Sequence, residues 1–493
     1  MLLSSGDIYR AYRPSACDLR HYLHYKKTPA AEPGAFEEVI RRLGDRHEKA
    51  HLATLEDVTD LSEGSFEERR RQTLEAISNK ASVIYQPVFA ATVRLAGRDC
   101  QVTGIPDFLI REGDGYAIRD VKMARRLTEG EHAEIFWQLR LYGLLFTLTT
   151  GQAPVRLEVY GGASEIVTID AAANGTVETM LARYVEVMLG ERPPFEPVGW
   201  TKCGDCGYHA TCWNDALERK DVALVPKIDQ GLARALHEVG VSTYGDLLVQ
   251  FDEARLTQFQ RPWGARQQKV GKTAVDILRS ARALQSNQCI AIAAPDIPAS
   301  TNYVMFDLEG LPPHLDELEQ IYLWGLQVFG DKPGTFMAAT AGFGAEGDRE
   351  GWEQFLRCAA AIIAEHGNIP FVHWHHYEKT KLKLYIERYG DPDGIAAAVL
   401  ANLFDLLPAT QKAVALPLPS YSLKVVEKYV GFKRSQSEYG GDWAMAKYIE
   451  ATETEDEALR TAVMDQVLKY NEEDLAATWA VLSWLQEFGR KAN

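Results

Sequence analysis

Gly104-Ile105-Pro106-Asp107, followed after twelve residues by Asp120-Val121-Lys122, is the stretch on which the reading of the fold turns. Between them lie Phe108-Leu109-Ile110 and Tyr116-Ala117-Ile118-Arg119, two strand-like runs on either side of the turn-forming Glu112-Gly113-Asp114-Gly115. Such a hairpin sets one carboxylate at its head and a second, with a lysine, on the neighbouring strand. Residues i and i+2 of a strand share a face, so Asp120 and Lys122 point to one side and, with Asp107, bracket a place for a divalent cation. Oxygen ligands suit Mg2+ or Mn2+, and a lysine beside them orients or deprotonates a water for phosphodiester hydrolysis.

Outward from the hairpin, strand-like runs at 83–93 and 100–105 precede it. A long helix over 131–147 and two strands at 155–160 and 165–169 follow, which predicts an α/β block with a mixed sheet. Gly44-Asp45-Arg46-His47 lies on an early helix, and Gln138 and Tyr142, four apart, share a face of the later one. Taken in order, these elements resemble the RecB-like branch of the PD-(D/E)XK nucleases, whose core is restriction-endonuclease-like. The resemblance implies that His47, Asp107 and Asp120 are metal ligands, that Asp120 and Lys122 are catalytic, and that Gln138 and Tyr142 support the site. Glu48 and His51 stand near enough to substitute for His47.

Seven cysteines, an odd number, do not form a secreted disulfide framework. Cys203-x2-Cys206-x5-Cys212 is instead a compact set of thiolate ligands, with Cys17 far upstream as a fourth. Four thiolates suit zinc or an iron–sulfur cluster, and His209 offers a zinc alternative to Cys17. The arrangement resembles the iron–sulfur RecB-like exonucleases, including the CRISPR-adaptation family and the AddB nuclease domain. It implies a [4Fe-4S] cluster that staples the two ends of the domain. Cys100, Cys289 and Cys358 have no such spacing and read as small buried apolar residues.

After Arg192-Pro193-Pro194-Phe195-Glu196-Pro197 the periodicity breaks, and residues 226–284 read as purely helical, with a charged helix from about 266. The Gly240-Val241 turn between two short helices resembles a helix-hairpin-helix, in which backbone N–H groups meet a phosphate. Arg255, Arg261, Arg266, Lys269 and Lys272 are placed to track a nucleic-acid backbone, with Trp263 available for stacking. A helical spacer with no nucleic-acid role is the plainer alternative.

Tyr303-Val304-Met305-Phe306-Asp307-Leu308-Glu309 then ends an apolar strand with two acids on one face. Tyr470-Asn471-Glu472-Glu473-Asp474 sits on a helix near the end of the chain, and 370–382, carrying Tyr377-Glu378, reads as a strand running into a helix. Asp307, Glu309, Glu378 and Asp474 form a second set of carboxylates able to hold two divalent ions. The order resembles the DEDD 3'-5' exonucleases of the RNase H-like fold, which implies that all four are catalytic metal ligands and that Tyr470 orients the attacking water. Glu378 departs from the aspartate of the general pattern, and Asp405 is a competing ligand.

The chain carries 53 Lys and Arg against 69 Asp and Glu, a net −16 that argues against a histone-like wrapper or a polybasic membrane binder. The balance is +2 over 221–290 (9 against 7) and −13 over 291–493 (17 against 30), so the middle is the basic part. No apolar run approaches the roughly 18–20 residues that span a bilayer, and no basic start with an apolar core follows Met1. These features predict a cytoplasmic α/β multidomain protein: a nuclease core at 1–220, an all-α helix-hairpin-helix-like connector at 221–290 and an RNase H-like domain at 298–493.

The expected activity is a metal-dependent DNA nuclease, exonucleolytic on single-stranded or frayed ends, in repair, recombination or defence. No Walker-type phosphate loop is present, so unwinding would fall to a helicase, recombination or CRISPR partner. A non-catalytic or single-site scaffold for a helicase or integrase, or an RNA-processing nuclease, are the alternatives.

Overall fold

The computed structural model describes residues 1–171, 175–264, 266–312, 315, 318–437 and 439–492. They form two compact units, one of Met1–Pro33, Glu37–Glu196 and Thr201–Thr211, the other of Gly34–Phe36, Pro197–Trp200 and Cys212–Asn493.

In the first unit a six-stranded sheet runs in the order Val58–Asp60, Val83–Tyr85, Phe108–Glu112, Gly115–Val121, Leu157–Tyr160, Ile166–Ile169. The two central strands are the expected hairpin, with Glu112 opposite Gly115 and Gly113 at φ 60° in the two-residue loop. Gly115–Val121 and Leu157–Tyr160 pair in parallel, which requires a long crossover, and the helix Ala133–Thr150 supplies it. Gly151, at φ 74°, ends that helix in the left-handed conformation that a residue without Cβ adopts freely. Leu139, Leu145 and Phe146 bury their side chains with Phe89, Ile118 and Val159. A smaller sheet, Leu2–Ser4, Arg98–Gly104 and Phe89–Leu95, completes the unit.

The sheet of the second unit has five strands: Met337–Thr340, Gln320–Gly330, Asn302–Leu311, Phe371–His373 and Leu403–Asp405. Gln320–Gly330 is antiparallel to both of its neighbours, and the last two strands run parallel to Asn302–Leu311. Alternation along Asn302–Leu311 assigns its faces. Val304, Phe306 and Leu308 pack with Trp352 and Phe355 of the helix Gly344–His366, whereas Tyr303 and Met305 pack with Leu475 and Leu482 of the helix Glu457–Ala492. Asp307 and Glu309 continue the second row, so their positions in the strand direct them to the face of the carboxy-terminal helix.

The basic segment departs from the expectation of an all-α connector. Short helices Gln230–Glu238 and Tyr244–Gln250 do flank Gly240, which sits at φ 83°, and Thr243 with Asp246 forms a capping box on the second. The predicted charged helix from about 266, however, begins only at Ala274 and ends at Ser286. Before it, Gln260–Trp263 and Arg266–Lys269 pair as an antiparallel hairpin. Pro262 lacks the N–H a helix needs and Gly264 takes φ 57°, so the chain turns back where charge alone suggested a helix. Among the described residues no helix is long and apolar enough to cross a membrane.

Candidate functional site

The hairpin register of the first unit places Phe108 opposite Arg119, which brings the adjoining Asp107 and Asp120 side by side. Asp107 Oδ2 accepts the Val121 N–H at 2.7 Å, and Lys122 Nζ lies 2.5 Å from Asp120 Oδ2. Burial, and then the charge of Asp120, hold the Asp107 carboxyl well above the usual carboxylate range. Burial works against the Lys122 ammonium, but Asp120 and Asp107 outweigh it, and its pKa is raised. The lysine is thus a cation paired with Asp120 and attracted by the charge of Asp107, suited to orienting a nucleophile.

Gln138 Nε2 donates to the Tyr142 hydroxyl at 2.9 Å, as expected for residues four apart on one helix. Tyr142 in turn packs against Gly104, where a Cβ would overlap the tyrosine ring. The first glycine of the quoted motif is therefore there for close approach. His47 bonds the Gly161 carbonyl through Nε2 at 3.2 Å and stacks on Tyr160. Its neighbour Glu48 is the residue of that helix linked to the acids: Glu48 Oε1 accepts from Gln86 Nε2 at 2.7 Å, and the same amide reaches Asp107 Oδ1 at 3.3 Å. Sequence reasoning missed Gln86, whose φ of 55° in a non-glycine residue is the structural mark of a constrained position.

In the second unit Asp307, Glu309 and Asp474 present oxygens all within 4.8 Å of one another, the one group of three potential metal-ligating side chains found among the described residues. Burial and then the charge of Asp474 push the Glu309 carboxyl up to about 8, and Asp307 is raised by the same two causes. Three acids so placed repel one another, and a cation shared among them relieves that repulsion. Glu378 lies apart from this trio: its carboxylate pairs with His373 Nδ1 at 3.1 Å, although its charge is felt at both Asp307 and Glu309. Asp405 accepts the His375 and Leu407 N–H groups and caps a helix, which leaves it a structural task.

Several residues of this site carried no signal in the motif reading. Asn471 donates to Asp307 Oδ2 at 2.7 Å, and Gly325, directly opposite Asp307 in the sheet, has no Cβ where Asn471 sits. Lys424 Nζ reaches Asp474 Oδ1 at 2.5 Å and the Tyr470 hydroxyl at 3.0 Å. Arg434 holds Glu427 with two bonds of 2.8 and 2.7 Å and also contacts Asp474. Asn471 was inside the quoted Tyr470-to-Asp474 run, and its spacing of three from Asp474 was the available clue. Lys424 lies in the run 421–432, which resembles the substrate-side helix of the DEDD exonucleases but did not mark it as a site residue, and Arg434 lies beyond that run and gave no clue.

Cys17 caps the helix Asp18–Tyr25, and its thiol is raised by burial. The segment is tied to that of Cys203: Ser15 Oγ donates to the Lys202 carbonyl at 3.0 Å, and Glu196 accepts both the Asp18 N–H and Lys202 Nζ. None of the seven cysteines is joined in a disulfide.

Comparison with known proteins fits this geometry. A family model of the PD-(D/E)XK nuclease superfamily matches residues 13–213, and one of the RNase H superfamily matches 304–486. No curated protein matches the chain. Among solved structures, one described as "Crystal structure of SSO0001" is similar at 16% identity over 43% of this chain and 85% of its own, with a TM-score of 0.27. The chain thus carries a PD-(D/E)XK nuclease superfamily domain and an RNase H superfamily domain, the domains of a metal-dependent nuclease acting on phosphodiester bonds.

Proposed function

We propose that the protein is a DNA nuclease that hydrolyses phosphodiester bonds at single-stranded or frayed ends, with one carboxylate site in each unit. The observation that carries the reading is the trio Asp307, Glu309 and Asp474, three acids gathered on one face with their oxygens within 4.8 Å. Their donor set is all oxygen, which fits Mg2+ or Mn2+, and Glu378 stands by as a further acid. A divalent ion bound there supplies polarisation of a phosphoryl oxygen and a more acidic water. Tyr470, bonded to Lys424, is placed to orient that water, and Asn471 fixes Asp307.

In the first unit Asp107 and Asp120 are the metal ligands, with Glu48 or His47 as a third, and Lys122 orients the nucleophile. Gln138 and Tyr142 support the site. The cysteines Cys17, Cys203 and Cys206, with Cys212 six residues on, are assigned to a [4Fe-4S] cluster. The hydrogen bonds that tie the Cys17 segment to Lys202 support that assignment. Strand separation is left to a helicase or to a recombination or CRISPR partner, in repair or defence.

A single-site reading has one observation in its favour: Lys424 and Arg434 already occupy Asp474. The test is cleavage of end-labelled single-stranded DNA, duplex DNA and RNA by the anaerobically purified chain with Mg2+ or Mn2+. Parent, Lys122→Ala, Asp307→Ala and the double variant are compared. Distinct product patterns lost by each single variant are expected. Loss of all cleavage in Lys122→Ala alone makes the second unit a holder, and no cleavage by the parent overturns the reading.

A further inference from the structure

Residues 254–275 contain five cations, Arg255, Arg261, Arg266, Lys269 and Lys272, and no Asp or Glu, inside a chain of net charge −16. The centre of that stretch is the hairpin Gln260–Trp263 with Arg266–Lys269, a two-stranded sheet that pairs with no other strand among the described residues. All four residues of the second strand are exposed, and so are Gln260, Pro262 and Trp263 of the first. An isolated hairpin is marginal in water; this one rests its first strand against the helix Gln230–Glu238 and leaves its second strand wholly open to solvent.

Register assigns its faces. Trp263 pairs with Arg266 and Arg261 with Gln268, so these four side chains share one side, while Pro262, Gln267, Gln260 and Lys269 share the other. The indole of Trp263 is 57% exposed next to the Gly264 turn, and the Arg261 guanidinium stacks on it at 4.5 Å. Arg261 is itself anchored to Asp229 at 2.6 Å and Lys269 to Gln258 at 2.6 Å, whereas Arg266 has no ion-pair partner among the described residues. One face therefore offers a flat aromatic, a cation held against it and a second cation without a counter-ion. That combination matches a base stacked on an indole with its phosphates beside guanidinium groups.

We propose that this hairpin captures a nucleic-acid strand, with Trp263 stacking on an unpaired base and Arg266, on the same face, holding the adjacent phosphate. The inference rests on the nuclease reading for its substrate, but it concerns binding and is tested without cleavage. Arg261 acts as the strut that holds the indole rather than as a phosphate contact. Arg255, over the Phe251 ring, lies outside the hairpin.

The test uses the full chain in EDTA with a fluorescein-labelled 20-nucleotide single strand, followed by anisotropy over a range of salt concentrations. Trp263→Ala is expected to weaken binding about tenfold, the scale of one stacked base, and Trp263→Phe to restore most of it. Arg266→Gln is expected to lower the slope of log K against log salt by about 0.7, one phosphate contact on a single strand. Unchanged affinity and slope in these variants overturn the proposal, and that result would leave an acidic protein as the partner of the hairpin. A parent that binds no nucleic acid also overturns it. A parent that binds through the hairpin but cuts nothing with Mn2+ fails the nuclease reading alone. A parent that cuts while the hairpin variants bind unchanged fails this one alone.

Discussion

Asp307 shows how much of this site depends on residues that do no chemistry. Its carboxylate is fixed by Asn471, and Asn471 has room only because position 325 is glycine. Gly325→Ala should therefore push Asn471 off Asp307, at a cost of about 1–3 kcal/mol from overpacking. In a Lys122→Ala background, which isolates the second site, cleavage should fall at least tenfold; urea unfolding and product release from labelled DNA check the two parts. Equal urea midpoints and equal cleavage would show that the glycine is incidental. Arg434 poses the complementary case. It is 3% exposed and bridges the buried Glu427 to Asp474. Arg434→Met leaves Glu427 as an unpaired buried charge, a change of about 3–5 kcal/mol. Adding Glu427→Met should recover most of that, and a double-variant cycle by chemical unfolding measures it. The full loss persisting in the double variant would mean that Arg434 acts through Asp474 alone.

Between elements, the same logic fastens the helix Gly344–His366 to the helix Tyr377–Tyr389. Asp348 is fully buried and accepts from Tyr385, from Tyr389 at 2.7 Å and from Arg388 at 2.6 Å, while the Tyr385 hydroxyl also accepts the Ile321 N–H at 2.6 Å. Asp348→Ala should cost about 3–5 kcal/mol, and Asp348→Asn less, because the amide keeps one acceptor. Thermal unfolding that finds the two equal would place the energy in charge rather than in hydrogen bonding. None of this was legible in the sequence, where Asp348 is one acid in a charged run. What was legible were patterns local in the chain: the Asp107 and Asp120 hairpin, the alternation that put Asp307 and Glu309 on one face, and the helical pair Gln138 and Tyr142. Contacts between distant segments were not, since Lys424, Arg434 and Gln86 reach their acids through tertiary packing that no spacing encodes. The 260–269 hairpin was missed for a different reason. The run of charges favours a helix, whereas Pro262 and Gly264 turn the chain back into a hairpin.

For the whole molecule, buried titratable groups of opposite kinds make stability depend on pH in opposite directions. Burial and Asp474 raise Glu309 to about 8 from an ordinary 4.5. Between those values the folded state holds a proton that the unfolded chain has released, so this group adds stability as pH falls from 8 toward 4.5. His21 does the reverse. It is 1% exposed, stacked on Tyr184, and has neither ring nitrogen hydrogen-bonded; burial lowers it to about 4 from 6.5. Its neutral form is the folded form, so stability is complete above 6.5 and declines by roughly 3 kcal/mol as pH falls through 4. Calorimetry of the full chain in EDTA should separate the two. His21→Phe keeps the stack and should flatten the decline between pH 6.5 and 4. Glu309→Gln should raise the unfolding temperature at pH 9, where the charged acid repels Asp307 and Asp474, and leave it unchanged at pH 5. Mn2+ should raise the parent's unfolding temperature at pH 8, because a cation relieves the same repulsion, and raise that of Glu309→Gln much less. A parent indifferent to Mn2+ while Glu309→Gln is stabilised would mean that the acids repel one another without forming a metal site. The excess of like charge in the trio then would be only a cost to the fold, and the catalytic burden would pass to Asp107, Asp120 and Lys122.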